Sequence, residues 1–562
     1  MGRPRPVAFR KLRRVLIWFW AVNVIFCEVF FPWIFGFFVY HWPSGSHDTD
    51  YDTHVLVISD PQITDAYSYG HDGLVLWLEE FYCDLYMRRQ NRAIMSHLNP
   101  QPTAVVFLGD LFDGGRTLDF TSTEFDKHVS RFQSIFQLPA SVSDNREPLY
   151  LFLSGNHDVG QGKWYRPEAG RVFEQVYSPT LGLDFEIRLG GVDIIGVNSQ
   201  ALSKRTQRIN RFEYSVDLGL VASGTDKSAT FETSDNPSSE HGTQPHRIGW
   251  AGRSIQYDFY QSSDNKYEFD AADVQQCGAT SYLFVQNQLE KHQLEHSMRD
   301  PESRRPRILL THVPLFRKRS SERQCGPNRP FSKKDISNSY GTSYQNLLAE
   351  DLSQLLLRAT RPSLVLSGDD HAACHVTHTW TDLIQDTNQN VLRQPVEDDH
   401  ATEPQVTVEE TIPTFSWLMG ERYPGFAVLS LPSEEVVASD LQRGRRPPPP
   451  LVSILFLPVQ LYIYLWYALA GVVTLLVVPL VVGVHEILTR TSHCEDKVTG
   501  PGPVGTCLST SDDKAGAHKR PADSLPVAIQ KLVFHVLWVD LSAVGVAVLA
   551  YSASLIYEWF YM

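Results

Sequence analysis

Cysteine and positive charge are both scarce in this sequence. Seven cysteines among 562 residues are too few for a dense disulfide scaffold. The 50 lysines and arginines are outnumbered by 64 aspartates and glutamates, which gives a formal net charge of −14. This balance provides no overall field that attracts a nucleic-acid backbone, so we expect no nucleic-acid partner.

Two processing signals are also missing. No Asn-x-Ser/Thr sequence with x other than proline occurs, because Asn236 is followed by Pro237. No small-residue cleavage site follows the first long apolar segment, residues 15–40. This segment is longer than a signal-peptide core and long enough to cross a bilayer, so we interpret it as an uncleaved transmembrane anchor.

The basic residues near the start of the chain set the expected orientation. Residues 1–14 contain six lysines and arginines in front of the anchor, whereas no lysine or arginine follows Tyr40 closely. By the positive-inside rule, this tail is cytosolic and the chain after Tyr40 is lumenal.

Further apolar segments lie near the other end of the chain. We predict transmembrane segments at 451–484 and 533–557, with a proline-rich hinge at 443–450 before them and a cytosolic loop at 485–532 between them. Four membrane spans instead of three remain the alternative. Glu28 and Asp540 fall inside apolar segments, where a carboxylate is costly and is expected to be paired or functional.

The region between the membrane segments contains a distinctive turn. Gly155-Asn156-His157-Asp158 follows the apolar strand predicted at 149–153. Amide and carboxylate oxygens suit hard divalent cations, and a charged imidazole is a proton donor. One such turn is a weak signal, because a surface turn with a solvated histidine has the same sequence.

Four more predicted strands end in the same kind of polar residue. These ends are Asp60-Pro61-Gln62 after 55–58, Gly109-Asp110 with Asp113 after 104–108, Thr311-His312 after 308–310, and Gly368-Asp369-Asp370-His371 after 364–366. Ligands of α/β sheets gather beyond the carboxyl ends of strands, so five such ends indicate one common site.

The order of these motifs resembles that of the calcineurin-like metallophosphoesterases, D-x-H, G-D-x-x-D, G-N-H-D, G-H and G-H-x-H. The resemblance covers residues 53–431 and is closest to the ER phosphoesterases that remodel the glycan of GPI anchors. Three stretches carry this closer match: Gly109 to Arg116 (GDLFDGGR), Ser367 to His371 (SGDDH) and Pro413 to Trp417 (PTFSW). The resemblance implies an α/β, four-layer αββα sandwich, lumenal, with transmembrane helices at both ends of the chain.

The resemblance also implies a site with two divalent metal ions. One ion would be held by Asp60, Gln62, Asp110 and His371. The second would be held by Asp110, Asn156, His312 and Asp369, with Asp110 bridging the two. His157 would protonate the leaving alkoxide, and Asp113 and Asp158 are the candidates that orient its ring.

Two positions depart from the wider family pattern. Gln62 and Asp369 stand where most relatives have histidine, so the site gains oxygen ligands and loses two imidazoles. Harder ligands favour Mn²⁺ or Mg²⁺ over Zn²⁺, and Mn²⁺ is our first expectation.

The resemblance supplies the substrate: ethanolamine phosphate on a mannose of the GPI glycan. GPI-anchored proteins or the GPI glycolipid would be the substrate, ER cargo-export factors are candidate partners, and the ER membrane or early Golgi is the expected location. One alternative is a non-catalytic membrane adaptor or cargo receptor for GPI-anchored proteins. The other is a nucleotide or nucleic-acid phosphodiesterase, and the acidic balance and the membrane segments disfavour the nuclease.

Local patterns give the remaining expectations. We predict helices at 74–97, 120–136, 281–296 and 344–357, a hairpin of 185–189 with 192–197, and a disordered insertion at 223–249. Cys277 and Cys325 could pair in an oxidising lumen, or could remain free thiols.

Overall fold

A computed structural model of the full chain provides the fold. The residues that it describes are 7–45, 50–118, 123–139, 148–203, 246–250, 253–257, 260–261, 267–268, 276–298, 304–318, 324–330, 333–339, 341, 344–381, 384–386, 391–393 and 404–498. They divide into two compact units, one within Gly36–Pro458 and one within Met1–Phe35 and Val459–Met562.

The strands are numbered in chain order. They are β1 Tyr51–Ile58, β2 Ala104–Phe107, β3 Leu149–Phe152, β4 Phe185–Leu189, β5 Val192–Val197, β6 His246–Trp250, β7 Arg253–Tyr257, β8 Tyr260–Gln261, β9 Tyr267–Glu268, β10 Arg307–Thr311, β11 Leu364–Ser367, β12 Cys374–Trp380, β13 Ile384–Asp386, β14 Val391–Arg393, β15 Gln405–Thr411, β16 Gly425–Pro432 and β17 Leu451–Phe456.

The helices are numbered in the same way. They are α1 Val7–Ile25, α2 Phe31–Val39, α3 Ala66–Tyr69, α4 Gly73–His97, α5 Thr123–Phe136, α6 Asn156–Val159, α7 Pro167–Tyr177, α8 Gln276–Met298, α9 Glu350–Thr360, α10 Glu434–Gln442 and α11 Gln460–Val498, with short 3₁₀ turns at Gly115–Thr117 and Gly162–Trp164 and a π-helical turn at Phe26–Phe30.

Two mixed sheets form the centre of the larger unit. The first has the strand order β17-β16-β1-β2-β3, in which β1, β2 and β3 are parallel neighbours. The second has the order β12-β15-β11-β10-β5-β4, in which β15, β11, β10 and β5 are parallel. Parallel neighbours end at the same edge of a sheet, so each sheet gathers the loops that follow its strands.

The main hydrophobic core combines side chains from both sheets. Val57, Val106 and Leu151 of the first sheet belong to the same buried cluster as Ile194 and Leu310 of the second. A separate buried cluster joins the second sheet to α8 and α9, for example through Val285 and Leu356. On the first sheet, Phe107 packs against Phe132 and Phe136 of α5, with ring centroids 5.3 and 4.9 Å apart. The mixed α/β sheets are consistent with the predicted fold class.

Most local predictions agree with the observed elements. Helices occupy the predicted ranges at Gly73–His97, Thr123–Phe136 and Gln276–Met298, and β4 pairs with β5 as predicted. The helix predicted at 344–357 instead begins at Glu350. The preceding segment is a loop held against the chain after His312, since the Leu348 amide donates to the Pro314 carbonyl, 2.8 Å away.

The predicted start of the second apolar segment, residues 451–484, is wrong. Leu451–Phe456 is a β-strand that pairs antiparallel with β16, and it is not the start of a membrane helix. A short apolar run fits a buried strand as well as a helix, so periodicity could not separate the two. The helix begins only at Gln460 and continues to Val498, beyond the predicted end at 484.

The disulfide also differs from the predicted pairing. Cys325 bonds to Cys374, with the sulfur atoms 2.05 Å apart. The bridge ties the loop at Cys325 to the first residue of β12, three residues after the predicted ligand His371. Cys374 is the partner because the strand brings it close to Cys325, a proximity that sequence separation does not reveal.

Two described helical segments have the length and composition of membrane spans, Lys11–Val39 and Gln460–Val481. They suggest membrane association. Glu28 is buried in the π-helical turn of the first, and the Tyr467 hydroxyl of the second donates to its Oε1 at 2.8 Å. The predicted span at 533–557, Asp540 and most of the predicted loop at 485–532 lie outside the described residues. So does the predicted insertion at 223–249 up to residue 245, after which β6 begins.

Candidate active site

The seven predicted metal ligands all lie just beyond parallel strands of the two sheets. The first sheet supplies Asp60 and Gln62 after β1, Asp110 after β2 and Asn156 after β3. The second sheet supplies His312 after β10 and Asp369 and His371 after β11. Ligand atoms of Asp60, Asp110 and His312 lie within 4.8 Å of one another, so the two sheets meet at one site.

Three oxygen ligands surround Nε2 of His312. This atom lies 3.1 Å from Oδ1 of Asn156 and 3.4 Å from Oδ2 of Asp110. Oδ1 of Asp369 lies 3.5 Å from it. Nδ1 of the same ring is 2.7 Å from the Leu108 carbonyl, to which it donates. Because Nδ1 bonds to a carbonyl, Nε2 is the nitrogen left to bind a metal ion in place of a proton.

The remaining predicted ligands, Asp60, Gln62 and His371, contact the residues around His312 or one another. The amide of Gln62 donates to Oδ2 of Asp110 at 2.9 Å, and the backbone amide of Asp369 lies 3.2 Å from both carboxylate oxygens of Asp60. Nε2 of His371 lies 4.0 Å from Oδ1 of Asp60. All seven predicted ligands are therefore brought together in one cluster.

Five of these ligands have an unusual backbone conformation. Positive φ angles occur at Asp60 (48°), Gln62 (38°), Asp110 (52°), Asp369 (64°) and His371 (66°). Non-glycine residues in this region cost of order 1–3 kcal/mol each, and such residues concentrate at functional sites. The surrounding strands and loops must stabilise this strained backbone. The strain therefore indicates that the fold holds the predicted ligands in fixed positions.

Two glycines of the motifs permit the close approach of the loops. A Cβ on Gly155 would lie 2.0 Å from Oδ1 of Asp110, and one on Gly368 would lie 2.2 Å from Oγ of Ser59. Any side chain at Gly155 would displace Asp110, and any side chain at Gly368 would displace Ser59. Only glycine leaves enough space at these two positions, next to Asn156 and Asp369.

The imidazole of His157 lies beside Asp113. Its Nδ1 is 2.5 Å from the Asp113 carbonyl and 3.0 Å from Oδ1 of the same residue. Burial lowers the pKa of His157, but the Asp110 carboxylate and the hydrogen bond to Asp113 outweigh burial and raise this pKa to about 9. A ring held at Nδ1 and charged at neutral pH can offer the Nε2 proton to a leaving group.

Asp158, the other candidate for orienting His157, binds backbone amides of two loops. Its Oδ1 accepts from the backbone amides of Leu111 and Phe112, at 2.9 and 3.1 Å, and its Oδ2 accepts from that of Gly155 at 2.8 Å. Both oxygens are used to join the loop after β2 to the loop after β3. Asp113 is thus the residue placed to orient His157, and Asp158 has a structural role in place of the orienting role predicted from the sequence.

Several supporting residues were not identified from the sequence. Ser59 donates to Oδ2 of Asp60, and the hydroxyl of Thr414 donates to the Asp60 carbonyl at 2.7 Å. Arg116 donates to the Asn156 carbonyl at 3.2 Å, and its guanidinium lies over the Tyr67 ring. Thr414 and Arg116 fall inside stretches that carry the family resemblance, and this resemblance could have identified them. Ser59 has no distinctive sequence pattern.

A family comparison agrees with this geometry. The sequence pattern of the calcineurin-like phosphoesterase family matches residues 53–373. This range is more than half of the chain. The chain belongs to the calcineurin-like phosphoesterase family. The family assignment supports a metal-dependent phosphoester hydrolase.

The chain is also similar to named members of the family from other organisms. It is 27% identical to Cell division control protein 1 of Saccharomyces cerevisiae, over 60% of this chain and 50% of the yeast protein. It is 26% identical to Metallophosphoesterase 1 of Gallus gallus, over 65% of this chain and 73% of that protein. The chain thus spans only half the length of the yeast relative that it matches.

The donor set of this phosphoesterase fits divalent cations. Burial raises the pKa of Asp60 to about 6, and neighbouring carboxylates raise that of His312 against the opposing effect of burial. Metal ions and protons compete for such ligands, so a bound cation would replace these protons. Oε1 of Gln62 is buried and, among the described residues, has no hydrogen-bond donor. A bound ion would satisfy this buried acceptor.

Proposed function

We propose that this chain is a dimetal phosphodiesterase of the ER membrane that removes ethanolamine phosphate from a mannose of GPI-anchor glycans. It would act from a four-layer αββα domain in the lumen and support anchor remodelling and ER exit of GPI-anchored proteins. The early Golgi is the alternative location. The observation that carries the proposed chemistry is the convergence of seven oxygen-rich ligands beside a histidine that is held for proton transfer.

The proposed ligand assignment is the one that the family resemblance implies. Asp60, Gln62, Asp110 and His371 would hold one ion, and Asp110, Asn156, His312 and Asp369 the other. Bound divalent ions supply Lewis-acid activation of a phosphoester and of the attacking water. Gln62 and Asp369 make the set rich in hard oxygen ligands, which supports Mn²⁺ as the preferred ion.

The proton transfer is assigned to His157. Asp113 fixes Nδ1, which leaves Nε2 to donate its proton to the oxygen of the leaving mannose as the P–O bond breaks. An alkoxide is a poor leaving group at neutral pH, so this proton contributes most for a sugar ester. Arg116, which donates to the Asn156 carbonyl, would favour the anionic phosphodiester.

The substrate is proposed from the resemblance of the motifs at residues 109–116, 367–371 and 413–417 to the GPI-remodelling branch. The similarity to proteins named Metallophosphoesterase 1 supports the same class of chemistry. The two candidate membrane spans support it as well, because a membrane-held enzyme meets a lipid-anchored glycan at high effective concentration. GPI-anchored proteins and ER cargo-export factors are the proposed partners.

Release of ethanolamine phosphate from purified GPI glycan tests this function. The full chain should release it with Mn²⁺ and lose this activity when a chelator is added, and His157→Ala serves as the matched inactive control. Hydrolysis of simple phosphodiesters without any release from the GPI glycan would refute the proposed substrate and keep the enzyme class. Binding of GPI-anchored proteins without hydrolysis of either would favour an adaptor.

A further inference from the structure

The first turns of α4 expose large apolar side chains. The exposed fraction is 70% at Leu74, 51% at Val75, 54% at Trp77 and 37% at Leu78. We name these four residues the apolar ridge. Contiguous apolar side chains on one surface indicate a docking site, because water does not favour such a patch.

The acidic side chains of the same helix are directed to other parts of the protein. Glu80 and Asp84 both bind Arg131 of α5, at 3.1 and 2.9 Å. Glu79 accepts from Nδ1 of His71 at 2.8 Å. A helix at the surface of a soluble domain places its apolar face against the core and its charges in water. The start of α4 has the reverse arrangement, so its outer surface is suited to an apolar medium.

The same helix contacts the chain next to both candidate spans. The ring of His97, at the end of α4, packs against Phe37 with centroids 6.2 Å apart, and Phe37 lies near the end of the span Lys11–Val39. The Tyr86 hydroxyl donates at 3.1 Å to the carbonyl of Pro458, two residues before the second span begins at Gln460. Helix α4 is therefore next to both points where the chain passes into its spans.

The ridge lies on the same helix as these contacts, nearer to Tyr86 than to His97. Twelve residues separate Leu74 from Tyr86, which is about 18 Å at the rise of an α-helix. The composition of this stretch suits neutral lipid, since residues 66–87 contain no lysine or arginine but include Trp77 and several tyrosines. Tryptophan and tyrosine are enriched where proteins meet the headgroup region of a bilayer.

We propose that the apolar ridge, Leu74, Val75, Trp77 and Leu78, inserts into the surface of the same bilayer that holds the two spans. The chain from the predicted ligand Gln62 to Leu74 is short, and Asp65 within it accepts from the Gly114 amide at 2.8 Å, next to Asp113. Insertion of the ridge therefore holds the rim of the metal site close to the lipid surface. The contact with lipid is independent of the proposed function, whereas its benefit for a lipid-anchored substrate rests on that function.

Photolabelling of the full chain in vesicles tests the contact directly. The chain is reconstituted in phosphatidylcholine that contains a photoactivatable group on the acyl chain, and labelled residues are mapped by mass spectrometry. We expect labels at residues 74–78 as well as in the spans. Leu283 of α8, with 51% of its surface exposed, is the control position and should remain unlabelled. Added phosphatidylserine should leave the labelling unchanged, because the ridge has no basic residues.

Charged variants test the consequence. The triple variant Leu74→Glu, Trp77→Glu, Leu78→Glu should lose the label at the ridge and should hydrolyse a lipid-anchored phosphodiester in vesicles roughly tenfold more slowly. Its activity on a soluble nitrophenyl phosphodiester should be unchanged, which also shows that the metal site is intact. Leu283→Glu is the matched control and should retain both activities.

Three results would overturn the proposal. One is labelling confined to the spans in the wild-type chain. The second is crosslinking of the ridge to a second copy of the chain in place of lipid. The third is crosslinking of the ridge to residues 499–562 in place of lipid. A wild-type chain that is labelled at the ridge but does not cleave GPI glycan would refute the proposed function and leave the membrane contact intact.

Discussion

Nδ1 of His157 lies 3.0 Å from Oδ1 of Asp113. The contact fixes one nitrogen of the ring and leaves the other for the substrate, so the role of His157 can be separated from metal binding. His157→Ala should keep both ions and the fold, but lose turnover of a sugar phosphodiester by about 10²–10⁴-fold, as expected for a lost general acid. Elemental analysis and steady-state rates measure the two effects.

The leaving group provides the control for this prediction. Nitrophenolate needs little protonation, so the loss in His157→Ala should be much smaller for a nitrophenyl ester than for the sugar ester. Equal losses on both substrates would mean that His157 is not the acid. Loss of metal in this variant would place His157 among the ligands and contradict the assignment around Asn156.

Asp158 should behave as a structural residue. Asp158→Asn replaces an acceptor with a donor next to backbone amides, so at least one of the three hydrogen bonds is lost. We expect a decrease of about 1–3 kcal/mol in the free energy of unfolding, measured by denaturant titration. Metal affinity should fall as well, because Asp158 joins the loops of Asp110 and Asn156. Unchanged stability with a selective loss of proton transfer would restore the orienting role predicted from the sequence.

The positions of the ligands were predictable because each follows an apolar strand. Strand ends at Asp60, Asp110 and His312 could be read from short apolar runs followed by polar residues, and the parallel order of the strands brings such ends together. The positive φ angles at Asp60 and Asp110 could not be predicted, since they arise from the packing of the two sheets and not from local preference.

The errors have the same origin. Leu451–Phe456 pairs with β16, and Cys325 meets Cys374 on β12, through contacts between segments that are distant in the sequence. Asp158 was named as a candidate because its neighbour in the sequence is His157, whereas its carboxylate accepts from the amides of Leu111 and Phe112. Adjacency in a motif does not determine where a side chain is directed.

The preference for the metal ion should depend on Asp369. The chelated wild-type enzyme should recover more activity with Mn²⁺ than with Zn²⁺, because Gln62 and Asp369 supply oxygen where most relatives supply nitrogen. Asp369→His should move the preference towards Zn²⁺, measured as the ratio of the two reactivated rates. If Zn²⁺ were already the better activator of the wild type, the argument from ligand hardness would fail.

The orientation of the chain can be tested with sealed microsomes. The basic residues before the first span predict that the catalytic unit is lumenal, and the strand Leu451–Phe456 extends the protected region to about Pro458. Protease added outside should leave residues 41–458 intact, and should digest them once detergent opens the vesicles. Cleavage of this region in sealed vesicles would place it in the cytosol and exclude the proposed lumenal function.

Asp110→Asn is expected to remove metal and activity together. Oδ2 of Asp110 lies 3.4 Å from Nε2 of His312 and accepts from Gln62, so this one carboxylate adjoins both groups of ligands. Its replacement by an amide removes the negative charge that both ions would share, and elemental analysis should show loss of both. Asp113→Asn, three residues along the same loop, is the matched control, because Asp113 contacts His157 and is not a proposed ligand. It should keep both ions and lose turnover mainly for poor leaving groups. An Asp110→Asn enzyme that retained both ions would show that Asp110 does not bridge them, and the division of the seven ligands between two sites would have to be revised.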